Sequence, residues 1–366
     1  MDYEIGPETM HLLKKPVTIY DIAKKLDVSA STVSRALKGG NGISPATRKR
    51  ILSAAETMGY STNSVASNLR RQNSKTVGVI VPKLNSVFLA EAIAGIENEL
   101  SKAGYNLLIS QSLESVKKEK ENVKAMASHR VIGLLVSLAY DTDDINHFRQ
   151  LMDNGTPVIF FDRVFENDHF PVITINNFRA AYELTSHLIA EGCRRIVHAT
   201  GNQLQNVYKE RSMGYKQALM EHGISFDPSL LIISNLTYEE GIEFGERLAA
   251  EGKRPDAIFA ANDQFAAGCM QSIKKAGLSI PGDVAIAGFN DDPLCCLVEP
   301  HLTSVEYKGF SVGTEAAAKL VDVIKNGSRS AYKIVLKHRL IARSSTQKMD
   351  TLLLGRDEPF SSTLVQ

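Results

Sequence analysis

The stretch DVSASTVSRALKGG, residues 27–40, decides how the front of this chain folds. Four hydroxyl side chains (Ser29, Ser31, Thr32, Ser34) and Arg35 fall within seven residues, while Val28, Val33, Ala36 and Leu37 keep helical spacing. Small polar residues are indifferent helix formers, so a helix with this outer face is shaped for whatever meets that face. Ser29 can cap a helix over Ala30–Leu37, and the Gly39-Gly40 pair stops it. Upstream, Thr18 followed by Asp21 is a capping box. It starts a helix near Ile19 that turns Ile22, Ala23 and Leu26 inward. Downstream, Ser44-Pro45 is an N-cap followed by proline at the first helical position. It opens a third helix through Ile51, Leu52 and Ala55, which Gly59 ends. Only the short turn Asp27–Ser29 separates the first two helices, so the pair reads as a helix-turn-helix.

In a helix-turn-helix the second helix lies in the DNA major groove. Small hydroxyl residues let the backbone approach closely, and their oxygens bond phosphates or base edges. Arg35 has the reach to grip a guanine edge at two points. The alternative is a solvated Ser/Thr-rich face of an ordinary three-helix bundle, and charge argues against it. Up to Lys75 there are twelve Lys/Arg and six Asp/Glu, whereas the remainder carries a net charge of −5. A basic front on a mildly acidic body points to a polyanion partner for the front alone.

The segment YSTNSVASNLRRQNSK (60–75) extends the same reading. Asn63 can cap a two-turn helix, Ser64–Arg71, too short to stand alone in water. Val65, Ala66 and Leu69 form an apolar stripe beside Arg70 and Arg71. Such a segment folds when docked, on DNA and on a second copy of itself. Leu69 can then wedge between base pairs in the minor groove. A flexible linker is the plainer reading of this stretch taken alone.

Beyond Lys75, apolar strand-like runs alternate with helical segments. TVGVIVP, YNLLISQS, VIGLLVSLA and VIFFD form one set. RIVHATG, LLIISN, AIFAAND and VAIAGFND form a second, starting near Asn176. The alternation predicts two α/β halves, each a parallel sheet covered by helices. Ligands of such sheets bind beyond the carboxyl ends of the strands. Polar residues stand at several of those ends: Asp162, Asn262, Asp263, Asn290 and Asp291. Arg211 follows VHATGN on a helix, and Phe88 and Leu89 begin the first helix of the first half. Apolar walls with a few convergent Asp, Asn and Arg groups suit a small polar ligand.

From VTIYDIA at residue 17 to VGVIVP ending at residue 82, the chain closely resembles the start of a LacI/GalR-family transcriptional regulator. T-I-x-D-I-A, V-S-x-x-T-V-S-R, T-R-x-x-I and Y-x-x-N-x-x-A-x-x-L all occur in the family's order and spacing. The likeness continues to about Thr346 through ANDQFAAG, IAGFNDDP, LTSVEY and LIARSST. It implies that Thr18, Tyr20, Ser29, Thr32, Ser34, Ser44, Thr47 and Asn63 hold the DNA backbone. Ala30, Ser31 and Arg35 would face bases, with Leu69 as the minor-groove wedge and Ala66 and Arg70 beside it. Ala30 and Ser31 are small where many relatives carry larger readers, which shifts direct readout toward Arg35 and leaves Ala30 a thymine methyl.

For the body, the resemblance implies two hinged lobes of periplasmic-binding-protein type with an effector cleft between them. The matching cleft positions are Phe88, Asp162, Arg211, Asn262, Asn290, Asp291 and Tyr307. Asn290 stands where many relatives have Asp, and Tyr307 where many have Gln. Sugars or sugar derivatives are the commonest effectors of the family. The expected architecture is an all-α helix-turn-helix headpiece with a hinge helix, then two α/β parallel-sheet lobes. Its segments are an extension over 1–16, the headpiece over 17–62, the hinge over 63–75, the effector and dimerisation domain over 76–346 and a tail over 347–366. Lobe 1 takes about 76–175 and 307–335, and lobe 2 about 176–306 and 336–346.

The expected function is a repressor that binds a palindromic operator as a homodimer under the control of a sugar-like effector, with no cofactor and no membrane partner. An activator of the same family, or a solute-binding protein for a transported sugar, is the alternative. No apolar run approaches the roughly 20 residues that span a bilayer. MDYEIGPETM lacks a signal pattern, and Cys193, Cys269, Cys295 and Cys296 lack metal spacing, so a cytoplasmic location is expected. Phosphate loops and the Gly-x-Ser-x-Gly elbow are absent, which argues against catalysis. The tail lacks a heptad repeat, which favours a dimer over a coiled-coil tetramer.

Overall fold

The structure is a computed structural model and describes residues 17–40, 42–60, 74–165, 170–250, 254–327 and 331–347. The expected extension over 1–16, the hinge helix with Asn63, Ala66, Leu69 and Arg70, and nearly all of the tail lie outside the described residues. The chain divides into two compact units, with the boundary between Ser74 and Lys75.

The first unit is three helices: α1 (Ile19–Leu26), α2 (Ala30–Leu37) and α3 (Pro45–Thr57). Ile22, Ala23, Val33, Ala36, Ile51 and Ala55 form its core. Asp27 turns the chain from α1 into α2 with a left-handed backbone, φ 52°, a conformation that aspartate tolerates better than most residues.

The second unit holds two parallel sheets. In the first, β1 (Thr76–Val81), β2 (Asn106–Gln111), β3 (Leu134–Val136), β4 (Val158–Phe161), β5 (Val172–Ile175) and β11 (Lys333–Leu336) stand in the order β11-β5-β4-β3-β1-β2. Its helices are α4 (Val87–Lys102), α5 (Val116–Ser128), α6 (Asn146–Asp153) and α11 (Gly309–Asn326). Both faces are covered. Val77, Val79 and Val81 belong to one apolar cluster, while Ile80, Leu134 and Val136 belong to another. That split follows the two-residue period of a strand and explains the nearly unbroken apolar runs.

The second sheet has the order β7-β6-β8-β9, from β6 (Ile196–Thr200), β7 (Leu231–Ile233), β8 (Ala257–Ala260) and β9 (Ala285–Ala287). Its helices are α7 (Asn177–Ala190), α8 (Asn206–Glu221), α9 (Tyr238–Ala250) and α10 (Asp263–Lys275). Antiparallel strands β10 (Ser304–Glu306) and β12 (Arg339–Ile341) pair beside it. The chain passes between lobes after β5, after β10 and after β11. The first lobe is thus completed by α11 and β11, late in the sequence.

Glycines set how closely the helices pack. A Cβ added at Gly313 on α11 would overlap the Ala92 carbonyl oxygen on α4, and one at Gly95 would overlap that of Phe310. Gly241 and Gly268 make the equivalent close approach between α9 and α10. Backbone cannot yield as a side chain can. Gly313→Val is therefore expected to destabilise the second unit by about 3 kcal/mol, at the upper end of overpacking costs. Urea unfolding followed by circular dichroism measures this, and a loss below about 1 kcal/mol would mean the helices part easily.

Candidate functional sites: the headpiece face and the cleft between lobes

Three of the expected DNA-backbone contacts are helix N-caps. Thr18 makes the complete capping box with Asp21. The Ser29 oxygen accepts from the Thr32 N–H at 3.2 Å and lies 2.8 Å from both the Ser31 and Thr32 hydroxyls. Ser44 accepts from the Thr47 N–H at 3.2 Å, and their hydroxyls lie 2.8 Å apart. Each cap marks a helix N-terminus, where free N–H groups and the helix dipole suit a phosphate. Tyr20 is exposed.

On α2, Ser31 and Arg35 are exposed one helical turn apart, opposite buried Val33 and Ala36. Ala30 and Ser34 are half-buried, and Ala30 packs against the core of the unit. The expected base-facing surface of Ala30 is thus partly engaged in packing. Val33 at i+3 draws Ala30 to the inner side of the helix.

Between the two lobes lies a cavity of 780 Å³, lined from both sides, a volume that suits a small molecule. Phe88, Asp162, Arg211, Asn262, Asn290 and Tyr307 all line it. Arg211 is its buried cation. Its Nε donates to Asn177 Oδ1 at 2.9 Å and its Nη1 to the Ala261 carbonyl at 2.8 Å. The guanidinium lies 3.6 Å over the Phe289 ring, and Nη2 donates to the Tyr307 hydroxyl at 3.4 Å. That hydroxyl in turn donates to Asp162 Oδ1 at 3.4 Å. The Phe88 and Tyr307 rings sit 4.6 Å apart and form an aromatic wall. Burial raises the Asp162 pKa, while Arg163, Arg211 and the Tyr307 hydroxyl work in the opposite sense. Asn262 caps α10, accepting from the Phe265 N–H and donating to the Leu236 carbonyl, both at 2.9 Å.

Asp291 departs from expectation. It is absent from the cavity wall, and its Oδ1 pairs with Arg343 Nη1 at 2.7 Å. Its neighbour Asp292 lines the cavity instead. The cause is local backbone: Asn290 and Asp291 have φ of 118° and 58°, which breaks the alternation a regular strand would impose. The DD pair in FNDDP is the signal the sequence offers, but it does not tell which member turns inward.

Arg163 and Glu114 also line the cavity, and no motif in the sequence marks them. Arg163 grips Glu114 at 2.7 and 3.2 Å and donates to the Tyr208 hydroxyl at 3.1 Å. Tyr208 belongs to the second lobe, so Arg163 bridges the cleft. Asn206 on α8 does the same, accepting from the Val164 N–H at 2.9 Å and donating to the Asp162 carbonyl at 3.3 Å. Tyr140 of the first lobe donates to the Ser234 carbonyl at 3.2 Å. These contacts hold the lobes together along one side of the cavity.

A helix-turn-helix headpiece joined to a two-lobed cleft domain is the make-up of a DNA-binding transcriptional regulator. The chain belongs to the lacI family of bacterial regulatory proteins. The model of that family matches residues 18–63, and a periplasmic binding protein-like domain matches 185–346. Catabolite control protein A of Priestia megaterium is 32% identical over 332 residues, covering 90% of this chain and 99% of that protein. The ribose operon repressor of Haemophilus influenzae is 30% identical, covering 90% and 98%. Among solved structures, a complex of the transcriptional regulator CelR with cellobiose matches with a TM-score of 0.69 and 28% identity, covering 90% of this chain and 99% of that one. The chain is therefore a sequence-specific regulator rather than an enzyme, and the solute-binding alternative is not favoured. Among the described residues, no helix is long and apolar enough to cross a membrane.

Proposed function

We propose that this regulator is a cytoplasmic repressor that binds a near-palindromic operator as a homodimer and answers to a small effector in the cleft. The observation that carries the DNA reading is the exposed pair Ser31 and Arg35 on one face of α2, above a core that fixes that helix. Thr18, Tyr20, Ser29, Thr32, Ser34, Ser44 and Thr47 hold the backbone. Ser31 and Arg35 read bases, and Ala30 has only its outward edge for a thymine methyl. Two such helices fit a site whose halves lie about one DNA turn apart.

The effector lies among Phe88, Asp162, Arg211, Asn262, Asn290 and Tyr307. The cavity volume, the aromatic wall and the convergent polar groups support this, and the complex of the related CelR with cellobiose supports a sugar as the class of effector. An effector that prefers one arrangement of the lobes changes DNA affinity, and DNA changes effector affinity by the same factor.

The test is recovery of genomic fragments by the purified protein at fixed salt, with and without a panel of sugars. A short palindrome that is gained or lost with one sugar is the expected result. Weak, sequence-blind and steeply salt-dependent binding would overturn the reading. Arg35→Ala is expected to weaken binding to the recovered site by about 10- to 100-fold, the loss of a bidentate base contact. Binding to random DNA should change little. Equal losses on both would make Arg35 a phosphate contact.

A further inference from the structure

The charged groups of the cavity wall are mostly matched. Lys83 lies 3.6 Å from Glu114, and Arg163 grips the same carboxylate. Arg211 is held by Asn177, Ala261 and Tyr307. Asp162 accepts from Tyr307 and Ser137. Asp292 differs from these. It is only 7% exposed and lines the cavity, and its carboxylate makes no hydrogen bond or ion pair among the described residues. It precedes the short 3-10 turn Pro293–Cys296 but does not cap it. Its N–H donates to Asp263 Oδ2 at 2.8 Å, so only the backbone is satisfied.

The surroundings of Asp292 are acidic. Asp263 on α10, Asp291 beside it and Glu91 on α4 all act on it electrostatically. Arg343 is taken by Asp291. Burial and then these carboxylates push the Asp292 pKa up to about 7. A buried carboxyl group without a partner is costly, and a cation in the cavity would relieve it. Among the described residues, no group of three or more His, Cys, Asp or Glu side chains could hold a metal ion. A cationic group carried by a bound ligand would supply such a partner. Asn290 adjoins this corner with a side-chain amide that makes no hydrogen bond among the described residues, and it lines the same cavity.

Resting on the effector-cleft reading, we infer that Asp292 is a specificity-determining residue that selects an effector bearing a protonated amine, an amino sugar in place of a neutral one. The ammonium sits on the Asp292 carboxylate. The sugar ring lies toward the Phe88 and Tyr307 wall, and Asn290 and Asp162 take its hydroxyls.

The test is calorimetric titration of the full-length protein with glucosamine, galactosamine, glucose, galactose and N-acetylglucosamine. The same titrations are made on Asp292→Asn, with thermal unfolding to show that the variant is folded. At least one amino sugar is expected to bind about tenfold or more tightly than its neutral counterpart, the worth of a charge-assisted contact over a neutral one. N-acetylglucosamine, whose nitrogen carries no charge, should lose that advantage, and so should Asp292→Asn. Neutral sugars binding as well as the amines would overturn the inference and leave the effector-cleft reading standing. An amine preference unchanged in Asp292→Asn would remove Asp292 from the role. Binding of none of the five sugars would overturn the amine inference. The effector reading would then be judged by the genomic recovery experiment alone.

Discussion

Arg211→Ala is expected to abolish the effector response and to cost the cleft unit about 2–4 kcal/mol. Arg211 is 3% exposed and stands at the meeting point of both roles. Its removal leaves Asn177 Oδ1 and the Ala261 carbonyl without their donor, and each buried acceptor left unmet costs about 1–3 kcal/mol. Asp162 also loses one of the two cations that favour its charge. Water entering from the cavity offsets part of this. Arg211→Lys separates the contributions. It keeps the charge but lacks the planar fork that reaches two acceptors at once and lies flat on Phe289. It should recover part of the stability and little of the response. Release of labelled operator on titration with the effector found in the recovery experiment gives the first readout. Urea unfolding followed by circular dichroism gives the second, since the chain has no tryptophan. An Arg211→Ala protein that releases operator at the wild-type effector concentration would make Arg211 a structural clamp only.

Asp292→Asn is expected to have the opposite effect on stability, and one that depends on pH. The pKa of Asp292 in the folded protein, about 7, stands above the 3.8 of an ordinary aspartate. The folded protein therefore favours the protonated carboxyl. The corresponding stability is fully present below about pH 4 and is lost as pH rises through about 7. A tenfold change in a protonation equilibrium is worth about 1.4 kcal/mol, so the loss approaches about 4 kcal/mol at its upper limit. Asparagine cannot ionise. The variant should match the wild type near pH 4 and exceed it by about 2–4 kcal/mol at pH 8. Asp263, raised to about 6 by burial, titrates in the same direction in both proteins. Unfolding midpoints of the pair at several pH values provide the measurement. Parallel curves would show that the Asp292 carboxylate is already compensated. A wild-type protein less stable than its variant has kept a strained charge for binding, the trade-off expected of a ligand site.

The headpiece is legible because its signals are local. Thr18 with Asp21, Ser29 with Thr32, and Ser44 before Pro45 are contacts across three residues or fewer, and each stands in the structure as a cap. The split of apolar and hydroxyl residues along Ala30–Leu37 follows from helical period alone. The plainest exception is Ala30, whose small side chain gives no sign of how far the core draws it in. The strand-end rule brings out Asp162, Asn262 and Asn290 for a similar reason, since the end of an apolar run can be seen in a linear string.

The rest of the cleft depends on groups distant in the chain. Glu114 and Arg163 are 49 residues apart, and their pairing exists only because β4 and the loop after β2 finish at the same end of one sheet. Arg211 meets Tyr307 across 96 residues, where the chain leaves the second lobe after β10. The choice between Asp291 and Asp292 is made by two left-handed residues and by Arg343, which arrives from beyond β12 to take Asp291. Caps, periods and strand ends are written in neighbouring residues, so the order of elements and the class of protein can be read from the chain. Which carboxylate faces the cavity and which cation is already engaged are decided only by folding. Those outcomes depend on burial and on partners that the backbone brings together from far along the sequence.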